Sequence, residues 1–113
     1  MRLKADKCIK DALLTVTQKV YHYQAPPDED APYIVWMEDG QATSLWANDR
    51  MIAQSVQGVI EYYTPDENDP AVEAIQNALT AADIAFALDD IEFDKETGLI
   101  CHVWTFESVW EAG

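Results

Sequence analysis

The sequence has few of the residues on which most catalytic and nucleotide-binding sites are built. It contains four glycines, two cysteines and two histidines in 113 residues. The glycines form no cluster that could cradle a phosphate group, which removes the nucleotide-binding fingerprints. Cys8 and Cys101 are too few and too far apart for a disulfide framework, and we interpret them as buried structural thiols. No cofactor is therefore predicted.

Positive charge is also scarce, and it is confined to one end of the sequence. Seven basic residues stand against 21 acidic ones, giving a net charge of −14, and five of the seven basic residues fall within the first twenty positions. An acidic body repels phosphate backbones and anionic lipids, so we expect neither stable nucleic acid binding nor a membrane partner. No apolar run is long enough to span a bilayer. The expected location is the cytoplasm.

Metal and catalytic signatures are weak as well. His22 and His102 have no cysteine or carboxylate neighbours at metal-ligand spacing, and Cys101 and His102 face opposite ways if they lie on a strand. The acidic run 66–69 lacks the regular ladder of a calcium loop. With 21 acids, close carboxylate pairs arise from composition and indicate a solvated surface. We predict no catalytic, cofactor-binding or metal-binding residue, and we expect that the protein is not an enzyme.

Apolar periodicity predicts two helices. Over residues 5–20, apolar residues recur at spacings of three and four, which indicates a helix with one buried stripe. A second helix is predicted after Asp69-Pro70, because a capping side chain stands directly before the proline favoured at the first helical position. It should end near Asp83. The connection 21–31 contains two prolines and three acids, and we expect it to be exposed.

The remaining apolar segments predict a sheet of about five strands. They span 33–37, 41–47, 51–64, 84–93 and 99–110. Glu38-Asp39-Gly40 is interpreted as a hairpin turn, Asn48-Asp49 as the next reversal, and 94–98 as the tip of a last hairpin with Gly98 in a left-handed position. A change of apolar phase predicts a bulge at Asp89-Asp90. The chain is thus predicted to be a single α+β domain over 1–113, of order α-β-β-β-α-β-β, with both helices on one face of a mostly antiparallel sheet.

Large aromatic side chains are numerous for a domain of this size. Two interpretations are open: both faces of the sheet are internal, or the second face is buried against another subunit. The second interpretation gives a set of candidate interface residues: Trp36, Trp46, Tyr62, Trp104, Phe106 and Trp110.

Several short segments in a fixed order resemble a known family. They are 33–40, 45–48, 57–64, Asp69-Pro70 with Ile75-Gln76, and 96–100 before Trp104. In this order the chain resembles small proteins encoded in tail modules of phages and prophages of Gram-positive bacteria, and it is similar to tail-terminator, or head-tail joining, proteins. The resemblance implies an α+β subunit of a ring, commonly a hexamer. It also implies a place in the virion neck, with tail-tube and head-completion proteins as partners. The segments are fold signatures, so no functional residue is carried over.

If the subunits form a ring through which DNA leaves, the acidic residues have a function in it. Carboxylates on the inner wall would repel the DNA phosphates, whereas lysines would bind them. The candidate lumen acids are Asp28, Glu29, Asp30, Asp66, Glu67 and Asp69, with a second group at Asp89, Asp90, Asp94 and Glu96. Solubility of the free subunit explains the same charge. Two other functional classes stay open, an acidic DNA mimic or similar inhibitor module that binds a protein, and a small-molecule enzyme.

Overall fold

The computed structural model describes residues 4–47 and 50–111, and it describes side chains over 8–40 and 56–108. The elements in chain order are α1 (Lys4–Leu14), β1 (Val20–His22), β2 (Tyr33–Ala47), β3 (Arg50–Thr64), α2 (Ala71–Ala81), β4 (Ala85–Asp94) and β5 (Leu99–Glu111). The α+β class and the order α-β-β-β-α-β-β predicted from the sequence are confirmed. Among the described residues, no helix is long and apolar enough to cross a membrane.

The five strands form one sheet in the order β1-β2-β3-β5-β4. Only β1 and β2 run parallel, and the other neighbours are antiparallel. Because side chains alternate along a strand, the register divides the residues between two faces. One row across the sheet is Trp36, Ile60, Trp104 and Leu88, on what we call the helix face. The row Tyr33, Tyr63, Cys101 and Glu92 lies on the opposite, open face.

Both helices pack on the helix face and form the core with it. The core residues are Ile9, Leu13, Ile34, Trp36, Ile60, Tyr62, Ile75, Leu79, Ile84, Trp104 and Phe106. Burial of these large apolar side chains is the main stabilising term of the fold. The indole N–H of Trp104 has a hydrogen-bond partner between the sheet and the helices, because it donates to the Gln76 side-chain oxygen of α2 at 3.0 Å.

Helix α1 is shorter than predicted, and the prediction of a helix through residue 20 is wrong. It ends at Leu14, before the β-branched run that starts at Thr15. The Thr15 hydroxyl donates to the Ala12 carbonyl at 2.6 Å, and the Val16 N–H bonds to Leu13 rather than to a carbonyl four residues back. Side chains that bond to nearby backbone compete with helix continuation, which explains the early end.

The turn predicted at Glu38-Asp39-Gly40 is also wrong, because β2 runs through it as one strand. Glu38 pairs with Gly58 and Gly40 pairs with Gln57, so Asp39 is an extra residue in a β-bulge. Long-range pairing with β3 overrides the local Asp-Gly signal here. The reversal predicted at Asn48-Asp49 lies outside the described residues.

The two predicted strands 33–37 and 41–47 are thus a single strand, β2. The first of the three strands between the helices is β1, which the sequence did not indicate. Its parallel pairing to β2 places the intervening connection, 23–32, at the β1 edge. Lys19 holds this connection through an ion pair to Glu29 at 3.1 Å and a hydrogen bond to the Asp30 carbonyl at 2.9 Å. The Tyr21 hydroxyl also donates to Glu29.

Helix α2 and the last hairpin agree with the local sequence signals. The Asp69 carboxylate accepts the Ala71 N–H at 2.8 Å, which caps the start of α2. At the other end Asp83 adopts φ 57, and the Ile84 N–H reaches the Leu79 carbonyl at 3.0 Å, as in a Schellman motif. The positive φ of 74 at Gly98 and the register shift between Leu88 and Asp90 confirm the predicted turn and bulge.

Candidate functional site

The aromatic residues assigned from the sequence to a subunit interface lie in the core of the domain. Trp36, Tyr62, Trp104 and Phe106 are at most 2% exposed. They line the helix face under α1 and α2, and the His22 ring stacks on Trp36 with centroids 3.9 Å apart. Rings buried this far offer no surface to a partner while the subunit stays folded. The side chains of Trp46 and Trp110 lie outside the described residues.

The candidate lumen acids gather towards one end of the sheet. Tyr33 pairs with Tyr63 and Thr64 pairs with Ile100, so the 65–70 connection and the 95–98 tip extend from the same end. Asp66, Glu67, Asp94 and Glu96 therefore lie near one another along the sheet axis. The 28–30 acids reach this end from the β1 side. Asp28 and Asp30 are exposed, whereas Glu29 is ion-paired.

Asp69 differs from the other acids because its carboxylate is already occupied. One of its oxygens accepts the Tyr62 hydroxyl at 2.6 Å and the Thr64 hydroxyl at 2.8 Å, and the other caps α2. Three donors from β3 and α2 thus converge on a single side chain. This geometry makes Asp69 the tie between the end of β3 and the start of α2, and not an acid free to face a channel.

The pKa shifts of Asp69, Tyr62 and His102 agree with a structural role for Asp69. Burial raises the pKa of Asp69, but the hydrogen bonds from Tyr62, Ala71 and Thr64 outweigh burial and leave the pKa below its usual value. Burial, and then the bond to Asp69, raises the pKa of Tyr62. Burial lowers the pKa of His102, which packs between the Tyr62 and Trp104 rings. At neutral pH the cluster is a carboxylate that accepts from neutral donors.

The open face carries a cleft of about 570 Å³. Its floor includes the Tyr33 and Tyr63 rings, which stack with centroids 5.0 Å apart, beside Cys101. Glu61 and Glu92 stand at its sides. No described helix covers this face, although Val35 and Cys101 are buried among their neighbours.

The chemistry of this cleft does not favour nucleophilic catalysis. Burial raises the pKa of the Cys101 thiol to about 11, helped by nearby Glu61 and Glu92. A thiol of this kind stays protonated at neutral pH and is a poor nucleophile. A hydrogen bond to Asp90, together with the like charge, raises the pKa of Glu92. The cleft therefore combines stacked rings with crowded carboxylates.

A second feature is the outer edge of β4, which no described strand pairs with. Three large apolar side chains on it are exposed: Leu88 by 42%, Ile91 by 56% and Phe93 by 61%. All three lie on the helix face, opposite Trp104, His102 and Ile100 in the register. They lie beyond the cover of the helices. The sequence reasoning did not assign this row, although the phase change that predicts the bulge was the signal that places all three on one face.

The open face of the same strand is acidic. Asp90, Glu92 and Asp94 alternate with the apolar residues, and all three are exposed. Within the described part of the chain, none of them pairs with a lysine or arginine. The β4 edge is therefore apolar on one side and negative on the other.

Comparison with known proteins gives a structural likeness and no sequence relative. No family model matches the chain, and no curated protein matches it. One solved structure with a similar fold is a chain in the virion of a native gene transfer agent particle. The TM-score is 0.61 at 12% identity, and the match covers 92% of this chain and 92% of that chain. At this identity the match shows a shared fold.

Proposed function

We propose that this protein is a structural subunit of a phage-like particle, and that it acts as a tail terminator that forms a ring between the tail tube and the head. The observation that supports the particle role is the fold shared with a virion chain across nearly the whole length of both. The order of short segments that resembles tail-terminator proteins supports the finer assignment. Fold alone does not fix function, so the role needs its own test.

The ring contact is proposed to bury the open face. Val103 and Val59 are only partly buried there, with the Tyr33 and Tyr63 stack beside them. These residues form an apolar strip between the acids of the open face, and an apolar strip that no described element covers is typical of a subunit interface. In a ring of identical subunits, this face would meet a different surface of the next copy, since head-to-tail contacts are what close into rings.

The expected result is that Val103→Glu prevents ring formation while the subunit stays folded. The new carboxylate lies between Glu61 and Asp90 in the register, and a neighbour that covers it would bury a charge without a partner. Circular dichroism checks that the variant is folded. Asn77→Glu, on the exposed side of α2, is the matched control and should assemble like the unmodified protein. Multi-angle light scattering over a wide concentration range, with and without tail-tube protein, measures the mass. A monomer under every condition would contradict the ring. Normal rings from Val103→Glu would show that the ring contact lies on another surface of the subunit.

The tail-terminator role itself is tested in the particle. Removing the gene from the phage or prophage that carries it should give heads without attached tails and tubes of uncontrolled length, visible by electron microscopy. Normal joined particles would show that the subunit has another place in the assembly, even if it forms rings.

The lumen role is proposed for the acids that the structure leaves exposed: Asp28, Asp30, Asp66 and Glu67. Asp66→Lys with Glu67→Lys should assemble but eject DNA more slowly at low salt, because lysines within about 8 to 10 Å bind passing phosphates. Raising the salt should restore the rate. Asp28→Lys with Asp30→Lys is the comparison for the other group. Normal ejection by both assembled variants would leave solubility as the use of these acids.

A non-enzymatic role is part of the same proposal. The raised pKa of Cys101 and the engagement of Asp69 by three donors support it. No group of metal-binding side chains occurs among the residues whose placement is described.

A further inference from the structure

We propose that the outer edge of β4 binds an extended segment of a partner protein, whose apolar side chains lie on the helix face and whose lysines or arginines lie on the open face. The pairing would extend the sheet by one strand. This edge adjoins the open-face cleft, which Glu92 and Asp94 also line, but the backbone pairing does not require the ring.

The first argument is the outer backbone edge of β4, which no described strand pairs with, although the Ile91 N–H is held by the Asp90 carboxylate at 2.9 Å. An edge strand presents free N–H and C=O groups, and proteins that leave such an edge for a partner bind peptides by strand addition. Strand β4 spans ten residues, from Ala85 to Asp94, and lies at the end of the sheet order. By contrast, the opposite edge strand, β1, spans three residues and is flanked by the 23–32 connection.

The second argument is the apolar row of Leu88, Ile91 and Phe93. Charged residues and bulges on an edge commonly guard it against aggregation, and β4 has both. Guarding does not explain exposures of 56% and 61% for Ile91 and Phe93. Large side chains in a continuous row are instead what an added strand would cover.

The third argument is the negative charge on the open face of β4, which indicates that the partner segment is basic there. Asp90, Glu92 and Asp94 recur at every second residue. A strand added beside them places its own alternate residues at the same spacing, where opposite charges stabilise and like charges oppose pairing. The segment that fits alternates apolar with basic residues.

A second copy of this chain does not supply such a segment. Arg50 in β3 is the only lysine or arginine in its five strands. The basic residues near the start of the chain fall mainly in helix α1. Two β4 edges paired with each other would bring their acidic rows together. The occupant that the charges favour is therefore a segment of another protein.

The test uses the intact protein and a short synthetic peptide, capped at both ends, in which valine and lysine alternate. Fluorescence anisotropy of the labelled peptide should show saturable binding, and hydrogen exchange should slow at 85–94. A control peptide of the same composition, with the valines and lysines in separate blocks, should bind at least about tenfold more weakly because it cannot match both faces.

Matched variants locate the site. Asp90→Lys with Glu92→Lys should weaken binding at least about tenfold, as should Ile91→Lys with Phe93→Lys. Asp28→Lys with Asp30→Lys makes the same change in charge at the opposite, β1 edge of the sheet and should leave the dissociation constant within about twofold. Circular dichroism checks that each variant is folded.

Several outcomes would overturn the proposal. They are no binding by the alternating peptide, equal binding by the blocked peptide, and protection of a strand other than β4. A purified protein that already protects β4 by self-association would identify a second copy as the occupant, against the charge argument.

Discussion

Replacing Gly58 by alanine is expected to lower the free energy of unfolding by about 3 kcal/mol or more, at the upper end of overpacking effects. An added Cβ would overlap the Met37 carbonyl oxygen and lie 2.7 Å from Cζ of the buried Phe106 ring. The first of these is a backbone atom, so relief requires β2 to move away from β3. Urea denaturation of both proteins measures the change.

Gly40→Ala is the matched control for Gly58→Ala. Gly40 lies on the neighbouring strand, and an added Cβ there meets nothing within 4 Å. Its expected effect is within about 0.5 kcal/mol, as for most surface changes. A loss below about 1 kcal/mol for Gly58→Ala would show that the strands at the Asp39 bulge can separate without cost, contrary to the tight packing.

Asp69→Ala is expected to cost about 3 kcal/mol of unfolding free energy. Loss of the acceptor for the Ala71 N–H removes a helix cap worth about 1 kcal/mol. The buried Tyr62 hydroxyl also loses its partner, which costs about 1 to 3 kcal/mol. Asp66→Ala is the control, because Asp66 is exposed and accepts only the Asn68 N–H at 2.9 Å. Equal effects of the two changes would contradict a special role for Asp69.

The pH dependence of stability gives a second measurement on the same residue. The folded pKa of Asp69 lies below its usual value of 3.8, so the unfolded chain binds the proton more readily. Its stabilisation is complete above that usual value and is lost as the pH falls through the lower, folded pKa. Asp69→Asn should therefore flatten the fall in stability below about pH 4. An unchanged acid profile would mean that the carboxylate is not specifically stabilised by the fold.

The parts of the fold that the sequence predicts best are those with local causes. Asp69-Pro70 starts α2, Gly98 takes the left-handed turn, and the phase change at Asp89-Asp90 is a bulge. Each depends on residues within one turn of the chain. Strand β1 and the bulge at Asp39 depend instead on pairing with distant strands, which no local pattern records.

The candidate sites show the same division. Aromatic content predicted that an apolar face exists, but the register and helix positions decide that Trp104 and Phe106 are core residues. Similarly, Asp69 resembles its acidic neighbours in sequence and differs only because Tyr62 and Thr64 meet it in space. Predicting the exposed apolar row on β4 requires both the position of the bulge and the extent of the sheet that the helices cover.

The central place of the β3–β5 pair has a consequence for folding. These strands are neighbours in the sheet, although α2 and β4 separate them along the chain. The hairpins β2–β3 and β4–β5 can each form between strands that are close in the chain. Pairing β3 with β5 instead closes a long loop, and the chain entropy of that loop is lost before any contact between β3 and β5 forms. Until that step, β3 and β5 each present a bare edge with apolar side chains. We therefore expect docking of the two hairpins to be the slow step, and aggregation to compete with folding before it.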